Sequence, residues 1–180
     1  MIRQPRHGYY ALAGNRDEAG FSPRQWIPAS GTALRAMGIV AEESGHTAGL
    51  HAAVLTDVPV QVCVGCVDNP GGIPQEASLG IPRRLGEDAA GQAILAYLDL
   101  PHPRPGERAA VRLRGWAASS GPVSGSQMVA VPILRFGVPV GAVSLTAPAD
   151  TMPSSGVPAG VRALKRAAGL LQRGAGRSCA

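Results

Sequence analysis

The sequence predicts an α+β domain, a central antiparallel sheet with helices packed on it, from three observations. Ser126–Pro148 alternates like a β-hairpin; two more aliphatic runs, Ala48–Leu55 and Val60–Val67, flank a turn; and helical periodicity recurs before, between and after these strands. The 180 residues suffice for one domain with a buried core, and 45% hydrophobic residues with only 4% aromatics make that core one of Val, Leu, Ile and Ala.

Arg6–Gly14, RHGYYALAG, reads as a short strand. Ser22, Pro23 and Gln25 form a helix-start signal, and Trp26, Ala33, Met37 and Val40 recur at helical spacing towards Glu43, with Pro28 starting or kinking the helix. This helix serves either as a linker and dimer surface or as a helix packed on its own domain. In the strand Val60–Val67, Cys63 and Cys66 stand three apart, and a straight strand points such residues to opposite faces. With His7, His46, His51 and His102 dispersed, no metal site is expected, and buried free thiols are the simpler reading.

DNPGG is a turn cluster, and Glu76–Ile81 is expected to form another short strand. Asp88 is a good N-cap for a helix over Ala89–Leu98, with Ala90, Ile94 and Leu98 on one stripe. Gly91 in its first turn implies close approach of either a ligand or a neighbouring strand. Pro101–Pro105 breaks the chain, ERAAVRLRG makes about two helical turns, and SSGPVSGS reads as a flexible loop leading into the hairpin.

The hairpin is expected to turn through a three-residue loop, Arg135, Phe136 and Gly137, with Leu134 facing Val138. That register sets Val129 opposite Val143 on an all-aliphatic face and Met128 opposite Ser144 on a mixed one, which Thr146 shares. On the mixed face Ala130 and Ala142 leave room while Ser144 and Thr146 supply hydroxyls. Such a floor holds a small polar molecule, or else the hydroxyls satisfy nearby backbone or face water. The last helix carries an apolar stripe of Val161, Leu164, Ala168 and Leu171 opposite Arg162, Lys165, Arg166 and Arg173. The net charge of +5 is scattered elsewhere, so this basic cluster reads as a solvated face and not as a nucleic-acid surface.

No phosphate-binding glycine loop, HExxH helix, GxSxG elbow or spaced carboxylate pair is present, so no enzyme activity and no cofactor are expected. No apolar run reaches membrane-spanning length, and the first residues lack a secretory core, so a cytoplasmic location without membrane contact is expected.

Several blocks taken together resemble the GAF-like effector-binding domain of IclR-family transcriptional regulators: SGHTAGL, LGIPRRLGEDAAGQAILA, RGWA, VAVPIL and GAVSLTAP, in that order between about Ala33 and Arg173. The resemblance implies a GAF-like α+β fold, a homodimer or tetramer, and a pocket between sheet and middle helix for a small organic acid or aromatic metabolite. Carried onto this chain, the pocket residues are Ala90, Gly91, Met128, Ser144 and Thr146, with backbone N–H groups near Gly91 offered to a carboxylate. YYALAG resembles the last strand of the family's winged helix, whereas the helices that enter the DNA groove have no counterpart. The expected division is therefore a wing remnant over 1–21, a linker helix over 22–46, an effector domain over 47–175 and a disordered tail over 176–180. A truncated regulator or a stand-alone effector domain is expected, with no direct DNA contact.

Two departures leave the ligand class open. Ser119 and Ser120 stand where the family usually has an acidic residue, and Asp88 replaces a small hydroxyl cap with a charge that opposes an anion, to which Glu87 adds a second. Two rivals remain: a ligand-free dimerisation partner of intact regulators, and a GAF-like thiol reductase using Cys63 and Cys66.

Overall fold

The computed structural model describes residues 2–6, 9–12, 31–75, 78–101, 105–151 and 160–174, with side chains from residue 31 onward. Among these, eight strands form one antiparallel sheet: β1 Ile2–Arg6, β2 Tyr9–Leu12, β3 Thr47–Val54, β4 Val60–Val67, β5 Pro82–Arg84, β6 Ala117–Ser120, β7 Ser126–Arg135 and β8 Val138–Pro148. The order is β1-β2-β4-β3-β8-β7-β6, with β5 also on β4. Four helices cover the sheet, α1 Gly31–Ser44, α2 Ala89–Leu95, α3 Pro105–Arg114 and α4 Val161–Gly174. This is the expected α+β class.

Alternation divides the sheet's side chains between two faces. Leu50, Val62, Val64, Val129, Val131, Val143 and Leu145 pack with Met37 and Val40 of α1 and Leu164 and Ala168 of α4 into the main core. The other face carries Met128, Ala130 and Ala142 against Ala90, Ala93 and Ile94 of α2. The described part of the expected linker helix, α1, thus packs on its own domain and buries seven residues. The apolar stripe of the last helix is as expected, with Val161, Leu164, Ala168 and Leu171 all buried.

Several expected details are corrected. The hairpin turns through two residues, Phe136 at φ 52 and Gly137 at φ 81, and pairs Arg135 with Val138. Both φ angles are positive, as a tight turn matched to strand twist demands. A bulge between Ile133 and Leu134 then brings Met128 opposite Thr146 and Ala130 opposite Ser144. The slip of two residues preserves the faces, because side-chain alternation also has period two. Ser119 and Ser120, expected in the flexible loop, belong to β6, an edge strand on β7. Of the strand expected at Glu76–Ile81, residues 76 and 77 lie outside the described residues and Leu79 makes a bridge to Cys63, while the strand observed next to β4 is Pro82–Arg84.

The middle helix ends at Leu95 and not at Leu98, and arginines of α3 take the carbonyls of its C-cap Ala96 and of the segment that follows. Arg108 Nε reaches Ala96 O at 3.3 Å and Nη1 reaches Leu100 O at 3.3 Å. Arg108 Nη2 also donates to Leu98 O and Arg112 Nε to Ala96 O. The described part of YYALAG, Tyr9–Leu12, forms a backbone hairpin with β1 and pairs Tyr9 with Val67, extending the same sheet. Trp26 and Pro28, and the tail 176–180, lie outside the described residues.

The two cysteines do not point to opposite faces as a straight strand requires. Leu50 pairs with Gly65 and His51 with Cys63, leaving Val64 as an extra residue in a bulge. The bulge resets the alternation, so Cys63 and Cys66 share one face and cluster with Leu79.

Candidate functional site

Pairing arranges the mixed face as a lattice. Met128, Thr146 and Thr47 form one row, Ala130, Ser144, Gly49 and Cys66 the next, and Ala142, His51 and Cys63 a third. Thr47, Gly49 and His51 lie at successive inward positions of β3, so the strand brings a hydroxyl, a gap and an imidazole to the floor. The gap is occupied by its neighbours. A Cβ on Gly49 would stand 2.7 Å from Ser144 Oγ, 2.9 Å from Gln75 Oε1 and 2.9 Å from His51 Nε2. Glycine is required here because three polar atoms converge where a side chain would sit.

The network is buried throughout. His51 Nε2 and Ser144 Oγ are 2.8 Å apart. Gln75, from the loop after β4, donates to Thr146 Oγ1, and its own backbone N–H is held by Asp68 at 3.2 Å. Asp88 caps α2 by accepting from Gly91 N at 2.9 Å, and its other oxygen accepts from Gln61 Nε2 at 2.7 Å. One carboxylate thereby ties the helix start to strand β4.

Besides Thr47 Oγ1 in the outer row, three polar atoms here have no hydrogen-bond partner, His51 Nδ1, Gln61 Oε1 and Gln75 Oε1, although their residues are only 3%, 2% and 1% exposed. All three residues line one cavity, with Asp88, Cys63, Arg83, Ile81, Pro122 and Met128. The cavity measures about 10 Å³, room for about one water molecule. A buried unpaired polar group costs about 1–3 kcal/mol, so three around one cavity point to a place where a polar molecule is received.

Burial pushes the His51 pKa down; the Asp88 carboxylate and Gln61 oppose this, and Arg83 reinforces it. Gln61 is thus near enough to favour the charged ring weakly, but the two side chains form no hydrogen bond of good geometry. Cys63 is pushed up to about 12 by burial, its contact with Gly65 O being a small opposing effect. A thiol so held is not a nucleophile at neutral pH. Among the described residues, no group of three His, Cys, Asp or Glu is placed to share a metal.

The sequence-predicted residues fall around this cavity in three ways. Met128 lines it; Ser144 and Thr146 lie behind it, bonded to the lining residues His51 and Gln75. Ala90 packs in the apolar cluster of α2, away from the lining. Gly91 does not offer its N–H to a ligand's carboxylate, because the Asp88 carboxylate already occupies it. Its missing side chain is explained by a neighbouring backbone, since a Cβ there would stand 2.9 Å from Gly86 N and 3.2 Å from Leu85 Cα. His51, Gln61, Gln75 and Arg83 were not anticipated. The period-two spacing of Thr47, Gly49 and His51 carried a signal for the first; the loop residue Gln75 had none.

No family model and no curated protein matches the chain. Solved structures do. The chain is 26% identical to an IclR transcriptional regulator from Alicyclobacillus acidocaldarius, with a TM-score of 0.66 over 79% of this chain and 66% of that one. It folds as an IclR-type C-terminal domain. The Thermotoga maritima IclR superposes with a TM-score of 0.70 at 24% identity over 81% of this chain and 67% of that one. An IclR homologue from Microbacterium hydrocarbonoxydans, complexed with 4-hydroxybenzoate, gives 0.58 at 20% identity over 79% and 65%. The chain therefore spans about two thirds of the length of these regulators. Within the IclR-type domain the cavity lies on the mixed face of the sheet, lined by Met128 and by Asp88, the cap of α2.

Proposed function

We propose that this chain is the small-molecule effector-binding and dimerisation part of an IclR-type transcriptional regulator, acting on transcription through a DNA-binding domain. The observation that carries the reading is the buried polar shell of His51, Gln61 and Gln75, with unpartnered atoms lining one cavity on the helix-covered face. Its likeness to the regulator complexed with 4-hydroxybenzoate supports a small organic acid or aromatic metabolite as effector. In this reading Met128, Ser144 and Thr146 form the floor, and Ala90 and Gly91 belong to the wall that moves. Residues 47–175 constitute the effector domain, 22–46 lead into it, and 1–21 are a wing remnant.

A cavity of about 10 Å³ admits no metabolite as it stands. The effector has to displace Met128, the loop carrying Gln75, or α2, whose start is pinned by Asp88 to Gln61. Ligand binding shifts the domain between a closed and an opened arrangement only by its affinity difference for the two. Helices α1 and α4, packed on each other, leave Ile39 53% and Leu170 52% exposed, apolar area that a second subunit would cover.

The test is a thermal-shift screen with small carboxylic acids and aromatic metabolites, followed by Ser144→Ala. A ligand selective for the folded state raises the melting temperature by mass action. Ser144→Ala removes the partner of His51 Nε2 and is expected to weaken binding about tenfold while the chain stays folded. Unchanged affinity would remove Ser144 from the site. The smallness of the cavity favours one other reading, a ligand-free dimerisation partner of intact regulators, which a silent screen together with measured self-association would support.

A further inference from the structure

We propose that the cavity receives its ligand by an end that donates hydrogen bonds and is uncharged or cationic, such as a hydroxyl, amine or amidine, and not by a carboxylate. The proposal rests on reading this cavity as the effector site. Its warrant is the orientation of Gln61. A carboxylate only accepts, so the Gln61 amide must turn its Nε2 to Asp88, at 2.7 Å, and its Oε1 is left with no partner at 2% exposure. Gln75 spends its Nε2 on Thr146 and likewise leaves Oε1 unpartnered at 1% exposure.

The donors nearest Asp88 are already used. Gly91 N–H and Gln61 Nε2 both go to Asp88, so the inner wall presents two amide oxygens and a buried carboxylate. Against this wall an incoming carboxylate would lose its water and meet acceptors, its counter-charge being Arg83 on the edge strand. A donor-ended ligand satisfies the same atoms. Arg83, on edge strand β5 and half-buried, is the cation among the described residues lining the cavity, and Met128, Pro122 and Ile81 supply apolar surface for the ligand's body.

Benzamidine and benzoate test this directly, being planar forks of similar shape and opposite hydrogen-bonding sense; catechol supplies an uncharged donor. Each is titrated into the intact chain by calorimetry, while the methyl signal of Met128, assigned with Met128→Leu, reports binding at this cavity. The expected result is a Kd for benzamidine or catechol at least about tenfold below that for benzoate, with a shifted Met128 methyl, and an advantage reduced in Gln61→Leu. If that variant fails to fold, the ratio of Kd values and the Met128 signal in the unaltered protein decide. Benzoate binding as tightly as both donors, with the Met128 methyl shifted, overturns the donor rule and leaves the effector site standing. No probe moving that methyl overturns both.

Discussion

His51 shows what the fold does to a single residue. In the unfolded chain its imidazole titrates near 6.5; in the folded domain burial pushes the pKa below that value, with Arg83 in the same sense and Asp88 and Gln61 opposing. Above about pH 6.5 the ring is neutral in both states. Below it the unfolded chain takes up a proton that the folded chain refuses, so stability falls as the pH drops through 6.5 towards the lower folded value. His46, also lowered by burial, acts in the same direction. Urea unfolding at pH 7.5 and 5.5 should show lower stability at pH 5.5, with a smaller difference in His51→Gln; equal stabilities would refute the neutral ring. The faces of Met128, Ser144 and Thr146 were legible because alternation in a strand is local. The place of His51 in this network was not, because its partner Ser144 lies ninety-three positions away in the chain.

At the scale of elements, α2 and α3 are held together by side chains that reach carbonyls. Seven residues make a short helix, and Arg108 and Arg112 take the acceptors that its end leaves open. Arg108→Ala should therefore lower stability by about 1–2 kcal/mol, measured by urea denaturation, and raise amide exchange at Tyr97 and Leu98. A loss no larger than that of an exposed Arg162→Ala control would show that the contacts carry no weight. These arginines read in sequence as charges on an amphipathic helix, which they are; what they cap is a tertiary matter. The hairpin offers the same lesson. Its strands and turn were visible as β-branched runs around Phe136 and Gly137, but the bulge at Ile133 has no residue signature, so the register slipped by two while the faces survived.

For the whole molecule, the sheet with its flanking loop encloses the two thiols. Cys63 and Cys66 share a face and are 4% and 0% exposed, and Cys63 is pushed up to about 12 by burial. In a Cys179→Ser variant at pH 8, a thiol reagent should label neither cysteine until urea unfolds the chain, with labelling following the global transition. Fast labelling of the native protein would revive the thiol-reductase reading. By itself the sequence determined the α+β class, the main strands, the apolar stripe of the last helix and the aliphatic and mixed faces of the hairpin, because periods of two and 3.6 residues register which side of each element is buried. Only the tertiary structure decided that Gly49 makes room for Ser144, Gln75 and His51, that Gly91 serves packing and its N–H serves Asp88, and that a bulge turns Cys63 and Cys66 to one side. Those outcomes depend on which atoms of distant segments compete for the same space and the same hydrogen bonds, and that competition exists only once the strands are paired.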